Sequence, residues 1–370
     1  MGIGSFDLFR PEHADVFDFR SYCATGSNRV LMQAGVLDIL PCHYSQLPAL
    51  IYNGTLQVDV VLLRVSPPDA QGRYSLGLAN DYLCAAIENA RVIIGEVDSA
   101  VPWTYGEFFL AKTDFQLLIE TDNEEESASP CLTDAGPSLV DTAIGAHVAS
   151  LVEDGATLQV GIGRIPDAIL ASLKSHRNLG FHSGAATDGL VALAESGALT
   201  NAYKDIDTGI SVAGMLIGSR KLHDFAHRNA RFRLRAATYT HAPRVLGSIR
   251  RFAALNSALE VDLAGRVNTE YVNGKYVGTL GGGADFMRGA LASEGGLPVV
   301  ALASAVKARS TIVPLLSGPT ALSAADAGIV VTEYGIADLR GQTLAERRRR
   351  MLAITHPDLR EQLERQALSR

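Results

Sequence analysis

The chain has 370 residues, of which 47% are hydrophobic and 20% charged, a composition typical of globular proteins that excludes disorder as the dominant state. Its length predicts roughly two domains. The net charge is −7, and the one dense basic run, residues 347–350, stands beside Glu346 as on a solvated helix face, so we expect no nucleic-acid partner. No stretch approaches the ~20 apolar residues of a membrane span, and the N-terminus carries no basic segment followed by an apolar run, so the sequence predicts a cytoplasmic protein with no membrane partner.

The pattern of apolar residues predicts an α/β fold with largely parallel sheets and crossover helices, because short β-branched runs alternate with amphipathic helical stretches. In the first part of the chain, strands are predicted over residues 58–65 and 92–97, with a helix over 81–90 between them. The polar residues 121–130, which include three consecutive glutamates, predict a surface linker. We therefore place one lobe at residues 1–125 and a second at 131–370.

The second lobe begins another α/β unit. A helix is predicted over residues 138–153, a strand over 157–160, and a helix over 166–175 with proline in its first turn. Further elements are predicted as strands over residues 258–263, 299–303 and 328–332, and as helices from residue 344 to the C-terminus. The four cysteines form no Cys-x-x-Cys pair and no histidine stands at metal-ligand spacing, so we expect neither a metal site nor a disulfide framework.

Two glycine-rich turns are candidates for ligand binding. The first, Gly161-Ile162-Gly163-Arg164-Ile165, joins an apolar strand to a helix, where glycine allows close approach of the backbone and free amides suit a phosphate or an oxyanion. Tight packing alone would explain such a turn equally well. The second has three consecutive glycines, residues 281–283, and close approach of a ligand explains it better than packing, since each glycine loses backbone entropy on folding.

Two further stretches carry polar residues. In residues 179–189, His182 and Ser183 suggest a base and a nucleophile, but neighbours in an extended segment point to opposite sides, which favours a structural histidine. In residues 331–341, Glu333 follows a predicted strand, at the sheet edge where open α/β sheets bind ligands. The alternative for Glu333 is a buried ion pair with Arg340.

In their order along the chain, these four stretches resemble the acetyl-CoA hydrolase/transferase family, which includes acetate and 4-hydroxybutyrate CoA-transferases. The resemblance covers nearly the whole chain, and its most specific element is the run from Thr332 to Gly341. Further matches are Val65-Ser66-Pro67-Pro68-Asp69, Tyr74-Ser75-Leu76-Gly77, Asn256-Ser257-Ala258-Leu259-Glu260-Val261-Asp262-Leu263 and His356-Pro357-Asp358.

The resemblance implies two related CoA-transferase-like domains with the active site between them, in a homodimer or larger assembly. It implies acyl-CoA as a substrate, a small carboxylate as acceptor, no metal and no permanently bound cofactor. By the same resemblance, the turn from Gly161 to Ile165 and the glycines Gly281 and Gly282 contact coenzyme A and the thioester oxygen, where backbone amides suit an oxyanion. Lys307 or Arg309 would meet the CoA phosphates.

The sequence departs from the family pattern at the position that matters most for its chemistry. The family motif reads His-Thr-Glu, and its glutamate attacks acyl-CoA to form an anhydride and then a glutamyl-CoA thioester; here His182-Ser183 is followed by Gly184. Two lesser departures are Thr279 in place of a common glycine and a start that already resembles the family's second strand region. We therefore expect a truncated N-terminal lobe, or a second chain that completes it.

The sequence thus predicts an acyl-CoA-utilising enzyme, like a CoA-transferase or acyl-CoA hydrolase, that acts on a thioester without the glutamyl-CoA intermediate. One route is hydrolysis by water near Gly184, with Glu333 as general base. Another is direct acyl transfer to a different nucleophile. The competing interpretation is a non-catalytic acyl-CoA-binding or scaffold subunit. A nicotinamide-dependent oxidoreductase is disfavoured, because no acidic ribose-binding residue follows the Gly161 turn.

Overall fold

The structure, a computed structural model, describes residues 9–121 and 136–368. All but the first residue of the predicted linker lies outside this part of the chain, as do the first five residues, on which the expected truncation depends. No helix in the described part is both long enough and apolar enough to cross a membrane. The observed α/β architecture with mainly parallel sheets confirms the predicted fold class.

The first lobe is built on a three-stranded parallel sheet. Its strands are Val60–Val65, Val92–Asp98 and Leu117–Thr121, with Val92–Asp98 in the middle. Helix Leu83–Asn89 connects the first two, and its first amide is held by the Asp81 carboxylate at 3.0 Å. The two predicted strands and the helix between them are confirmed, with boundaries that shift by one or two residues.

The second lobe contains a six-stranded sheet with five parallel strands and one antiparallel edge strand. Residues Ala253 and Leu255 of one central strand point to a core beneath helices Leu139–Ala149 and Arg164–Ser172, whereas Phe252 points to the opposite core. This alternation follows from the two-residue period of a strand and buries both faces of the sheet. In spatial order the strands are Gly180–Phe181, Thr157–Val160, Phe252–Ser257, Leu297–Ala301, Ile329–Thr332 and Gly335–Asp338.

The strand predicted over residues 258–263 is wrong in position. The central strand is Phe252–Ser257, and only a short strand, Glu260–Asp262, follows it in a separate small sheet. The apolar and β-branched residues of 258–263 resemble a strand by composition, but Ala253 and Ala254 give the true core strand a weak β signal.

Short elements connect and cover the two main sheets. The remaining α-helices are Asn28–Gln33, Gln46–Tyr52, Asp188–Glu195, Arg220–Ala226, Ala237–Thr240, Pro243–Ser248, Gly283–Ala292, Leu344–Ala353 and Pro357–Leu368, with 3-10 turns at Pro11–Asp15 and Lys112–Asp114. The remaining strands are Phe19–Ser21, Leu37–Ile39, Arg73–Ser75, Tyr105–Gly106, Phe109–Ala111, Ala185–Ala186, Ser211–Ala213, Met215–Leu216, Phe232–Leu234, Val267–Asn268, Tyr271–Val272, Lys275–Tyr276, Ala305–Val306, Arg309–Ser310 and Ile312–Val313.

The glycine-rich segment of the second lobe is tied directly to the first lobe. Thr279 donates its hydroxyl to the carbonyl of Tyr22 at 3.0 Å, and Tyr44 donates its amide to the carbonyl of Gly281 at 3.0 Å. The carboxylate of Asp285, in the helix that follows, accepts from Ser45 at 2.7 Å. These hydrogen bonds fix the two lobes against each other around the space described next.

Candidate active site

A cavity of about 520 Å³ lies between the lobes, at the carboxyl ends of Thr157–Val160 and Phe252–Ser257. Ligands of open α/β sheets bind at this edge, because the connecting loops there leave a crevice. The first lobe contributes aromatic and small residues and one arginine, namely Tyr22, Thr25, Gly26, Arg29 and Tyr44. The second lobe contributes both glycine turns with their flanking residues, and residues from other segments of the chain, among them Gly184, His241 and Asn256.

The structure brings both predicted glycine turns to the wall of this cavity. Gly161, Ile162 and Gly163 line it from one turn, and Gly281 and Gly282 from the other. At Gly163 the backbone has φ +124° and the space where a side chain would begin is empty, so a ligand can approach this backbone closely. The contact of these residues with coenzyme A stays a prediction.

Arg164 and Ile165, assigned to the same turn, do not line the cavity. The Arg164 guanidinium lies 3.4 Å from the Asp141 carboxylate, and Ile165 packs against the core beneath the sheet. Both residues already belong to the first turn of helix Arg164–Ser172, where successive side chains diverge around the helix axis. Only the residues before this helix face the cavity.

Gly184 lines the cavity, and the ring of His241 lies directly against it. A Cβ atom added to Gly184 would lie 3.0 Å from both Cε1 and Nε2 of His241. A Cβ added to Gly282, from the other side, would meet Nε2 of the same ring at 2.5 Å. The imidazole therefore sits between two glycines that have no side chains to exclude it.

Aromatic rings hold His241 in this position. Its ring centroid lies 4.8 Å from that of Tyr44 and 4.5 Å from that of Phe286. Nδ1 is 2.9 Å from the Thr240 hydroxyl, which leaves Nε2 toward the cavity. Burial lowers the pKa of His241 to about 3, so the ring is neutral at physiological pH.

The described residues that line the cavity include no aspartate and no glutamate. They supply one imidazole, at His241, and one guanidinium, at Arg29. Arg29 is exposed and makes no ion pair with any residue in the described part of the chain, so it can meet an anionic group of a ligand.

Sequence reasoning missed His241 and Arg29, and it missed an amide pair on the cavity wall. Gln159 and Asn256 exchange two hydrogen bonds, of 3.1 and 2.9 Å, across neighbouring strands. Asn256 stands in a stretch that carried the family resemblance, and that was a usable signal. His241 and Arg29 stand in no glycine turn and follow no predicted strand, so no local pattern pointed to them.

The structure does not bring Glu333 or Lys307 to the cavity lining. Both carboxylate oxygens of Glu333 accept hydrogen bonds from Ser304, at 2.8 Å from its amide and 2.7 Å from its hydroxyl. The alternative ion pair with Arg340 is wrong, since Arg340 pairs with Asp338 at 2.7 Å. Lys307 is exposed in the turn between Ala305–Val306 and Arg309–Ser310. The roles expected for Glu333 and Lys307 stay predictions, and the geometry gives them no direct support.

His182 and Ser183 point to opposite sides of their segment, as expected. The Ser183 hydroxyl donates to the carbonyl of Val160, and His182 is fully buried near Tyr239, with ring centroids 5.6 Å apart. Neither residue lines the cavity. The geometry fits the structural interpretation of His182 and provides no base for Ser183.

Comparison with known proteins identifies the family of this chain. The acetyl-CoA hydrolase/transferase N-terminal domain matches residues 7–128, and the C-terminal domain of the same family matches residues 218–367. A 4-hydroxybutyrate coenzyme A transferase from Clostridium kluyveri is 39% identical over 344 residues, which cover 91% of this chain and 79% of that protein.

Solved structures give the same result. RipA from Yersinia pestis has a TM-score of 0.91 at 30% identity, with 97% of this chain and 83% of RipA covered. A 4-hydroxybutyrate CoA-transferase from Porphyromonas gingivalis has a TM-score of 0.79 at 33% identity, with 92% and 84% covered. Because both domain patterns match in order and the similarity extends over most of each relative, this chain belongs to the acetyl-CoA hydrolase/transferase family.

Proposed function

We propose that this chain binds acyl-CoA in the cavity between its lobes and cleaves the thioester without a glutamyl-CoA intermediate. The observation that carries the proposal is that Gly184, which by the family resemblance stands where the nucleophilic glutamate is expected, lines the cavity, and that no described lining residue is a carboxylate. A glutamyl-CoA route through this site has no carboxylate among the described lining residues to start from. Water is then the simplest attacking group, and the reaction is hydrolysis.

The cavity supplies two other elements that thioester cleavage needs. The backbone of the glycine turns at Gly163 and Gly281 is accessible from the cavity, and amides in such turns can stabilise an oxyanion. Arg29 offers a positive charge at the cavity wall for a phosphate or carboxylate of the ligand. Acyl-CoA is thus a substrate rather than a bound cofactor, and a small carboxylate acceptor is needed only if the acyl group is transferred.

A second candidate function is a non-catalytic acyl-CoA-binding or scaffold subunit. The same absence of a carboxylate from the described cavity lining favours it, since a binding site needs no nucleophile. A homodimer, or a second chain that completes the first lobe, stays a prediction in either case.

Calorimetric titration with acetyl-CoA, combined with an assay of released thiol, separates these functions. Binding with steady release of thiol is the expected result and supports the hydrolase. Binding without release supports the subunit. If acetyl-CoA does not bind at all, both functions are rejected, whereas a rate that depends on added acetate or another carboxylate replaces hydrolysis by acyl transfer.

A further inference from the structure

His241 reaches the reacting part of the cavity from a segment that contributes no other residue to its wall. His241 is 3% exposed, and its Nε2 lies 3.0 Å and 2.5 Å from the positions where side chains at Gly184 and Gly282 would begin. Both glycines come from stretches that the family pattern assigns to the thioester. The imidazole nitrogen therefore lies beside both stretches that, by the family resemblance, meet the thioester.

We propose that His241 is the general base that replaces the missing glutamate, activating a water for direct attack on the acyl-CoA carbonyl. This inference rests on the proposed function, because it requires a thioester in the same cavity. A histidine can accept a proton at one nitrogen while the other is held by a neighbour. Because burial lowers the pKa of the resting ring to about 3, the proton transfer depends on the oxyanion that forms beside the ring and raises its proton affinity.

The hydrogen bonds around the ring fit an acceptor at Nε2. The Thr240 hydroxyl lies 3.3 Å from the carbonyl of Ala236, to which it can donate, and 2.9 Å from Nδ1 of His241. With that arrangement Nδ1 carries the proton and donates to Thr240, and Nε2 keeps its lone pair. In the described part of the chain Nε2 has no hydrogen-bond partner, and it is not among the buried unpartnered nitrogens such as those of His182. It is thus open to the cavity.

The proposed step balances without any further reactant. The water oxygen forms a bond to the acyl carbon, and one water proton passes to Nε2 as the tetrahedral oxyanion forms. When the intermediate collapses, the carbon–sulfur bond breaks and the proton on Nε2 passes to the leaving sulfur. The products are a free carboxylic acid and the CoA thiol. During the step the imidazolium lies beside the oxyanion, an opposite charge that favours the protonated ring.

The groups packed around the ring explain why it stays neutral until the step occurs. Tyr44 and Phe286 pack against the ring, and the imidazole of His182 is itself buried. The Tyr44 hydroxyl donates to the Asp81 carboxylate at 2.7 Å, so that acid is used by the tyrosine and does not contact the imidazole. No described carboxylate pairs with His241, and burial alone determines its protonation.

Two variants test the base. His241→Phe keeps a ring between Tyr44 and Phe286 but removes both nitrogens, and His241→Ala removes the ring and leaves a gap that free imidazole can enter. Both should lower the rate of thiol release from acetyl-CoA at least ~100-fold, the usual contribution of a general base, with CoA affinity within about threefold of the wild type. His223→Ala is the matched control, because His223 is a buried histidine that lies outside the cavity lining.

Added imidazole tests whether the lost turnover comes from the missing base rather than from a change in structure. Turnover of His241→Ala should rise with the concentration of imidazole and follow its neutral form as pH increases, while the control should keep wild-type turnover without responding. Wild-type turnover in both His241 variants would overturn the proposal, as would a folded His241→Ala protein that binds CoA but does not respond to imidazole. If the wild type binds CoA but releases no thiol, the proposed role of His241 as a base is refuted, whereas the proposed binding site is retained. If the wild type binds no CoA, the proposed function itself is refuted.

Discussion

Glutamate at position 184 is expected to restore a covalent nucleophile only when His241 is removed at the same time. Gly184 does not have a positive φ, so its backbone can accept glutamate. The obstacle is packing, because the new Cβ would lie 3.0 Å from the His241 ring and 3.3 Å from Phe286. Forcing extra atoms into such a site costs about 1–3 kcal/mol of stability. The variant Gly184→Glu should therefore be destabilised by that amount and react poorly.

The double variant Gly184→Glu/His241→Ala should recover part of this stability, with a coupling of about 0.5–3 kcal/mol between the two sites. Urea unfolding measures the stabilities, and intact-mass spectrometry after incubation with acetyl-CoA measures the glutamyl-CoA adduct. Gly283→Ala is the matched control, since Gly283 lines the same cavity but a Cβ there meets nothing within 4 Å. A Gly184→Glu single variant as stable as the wild type, with as much adduct as the double variant, would refute the reasoning.

Three further predictions concern the glycines of the cavity wall, the role of Glu333 and the pH dependence of stability. Valine at Gly161 or Gly283, where a Cβ meets nothing closer than 3.4 Å, should weaken CoA binding in calorimetry with little change in unfolding free energy; unchanged affinity in both variants would reject the site. Glu333→Gln should destabilise the protein by about 1 kcal/mol through its hydrogen bonds to Ser304 and leave turnover per folded molecule nearly unchanged. A large loss of turnover at full stability would instead restore Glu333 as the base. Burial raises the pKa of Asp81 to about 6, so its folded form holds the proton more tightly and stability should fall as pH rises from 4 to 6. Asp81→Asn should flatten this part of the pH dependence in urea unfolding, and an unchanged slope would contradict the assignment.

The glycine turns could be predicted from the sequence because their signal is local. A turn such as Gly161 to Gly163 stands where an apolar strand ends and a helix begins, and both features are visible in neighbouring residues. The same reasoning put Glu333 at the correct edge of the sheet. It could not say which neighbour the carboxylate would meet, and that neighbour is Ser304, at the end of the adjacent strand, rather than the cavity.

His241 could not be found in this way because its role depends on distant residues. The ring can enter the cavity because Gly184 and Gly282 both lack side chains where they meet it. The two glycines are far from His241 and from each other in the chain. Such a three-way contact is a property of the tertiary structure. The sequence showed Gly184 as the loss of a glutamate, and the structure shows that a different titratable group contacts the same place.

The proposed function requires that the protein cleaves acyl-CoA without a covalent enzyme–CoA intermediate. Intact-mass spectrometry of the wild-type protein, quenched during turnover of acetyl-CoA, tests it most directly. We expect release of free thiol with no mass increase on the protein at any time. An adduct of CoA or of the acyl group, mapped by peptide analysis to any carboxylate of the chain, would contradict it.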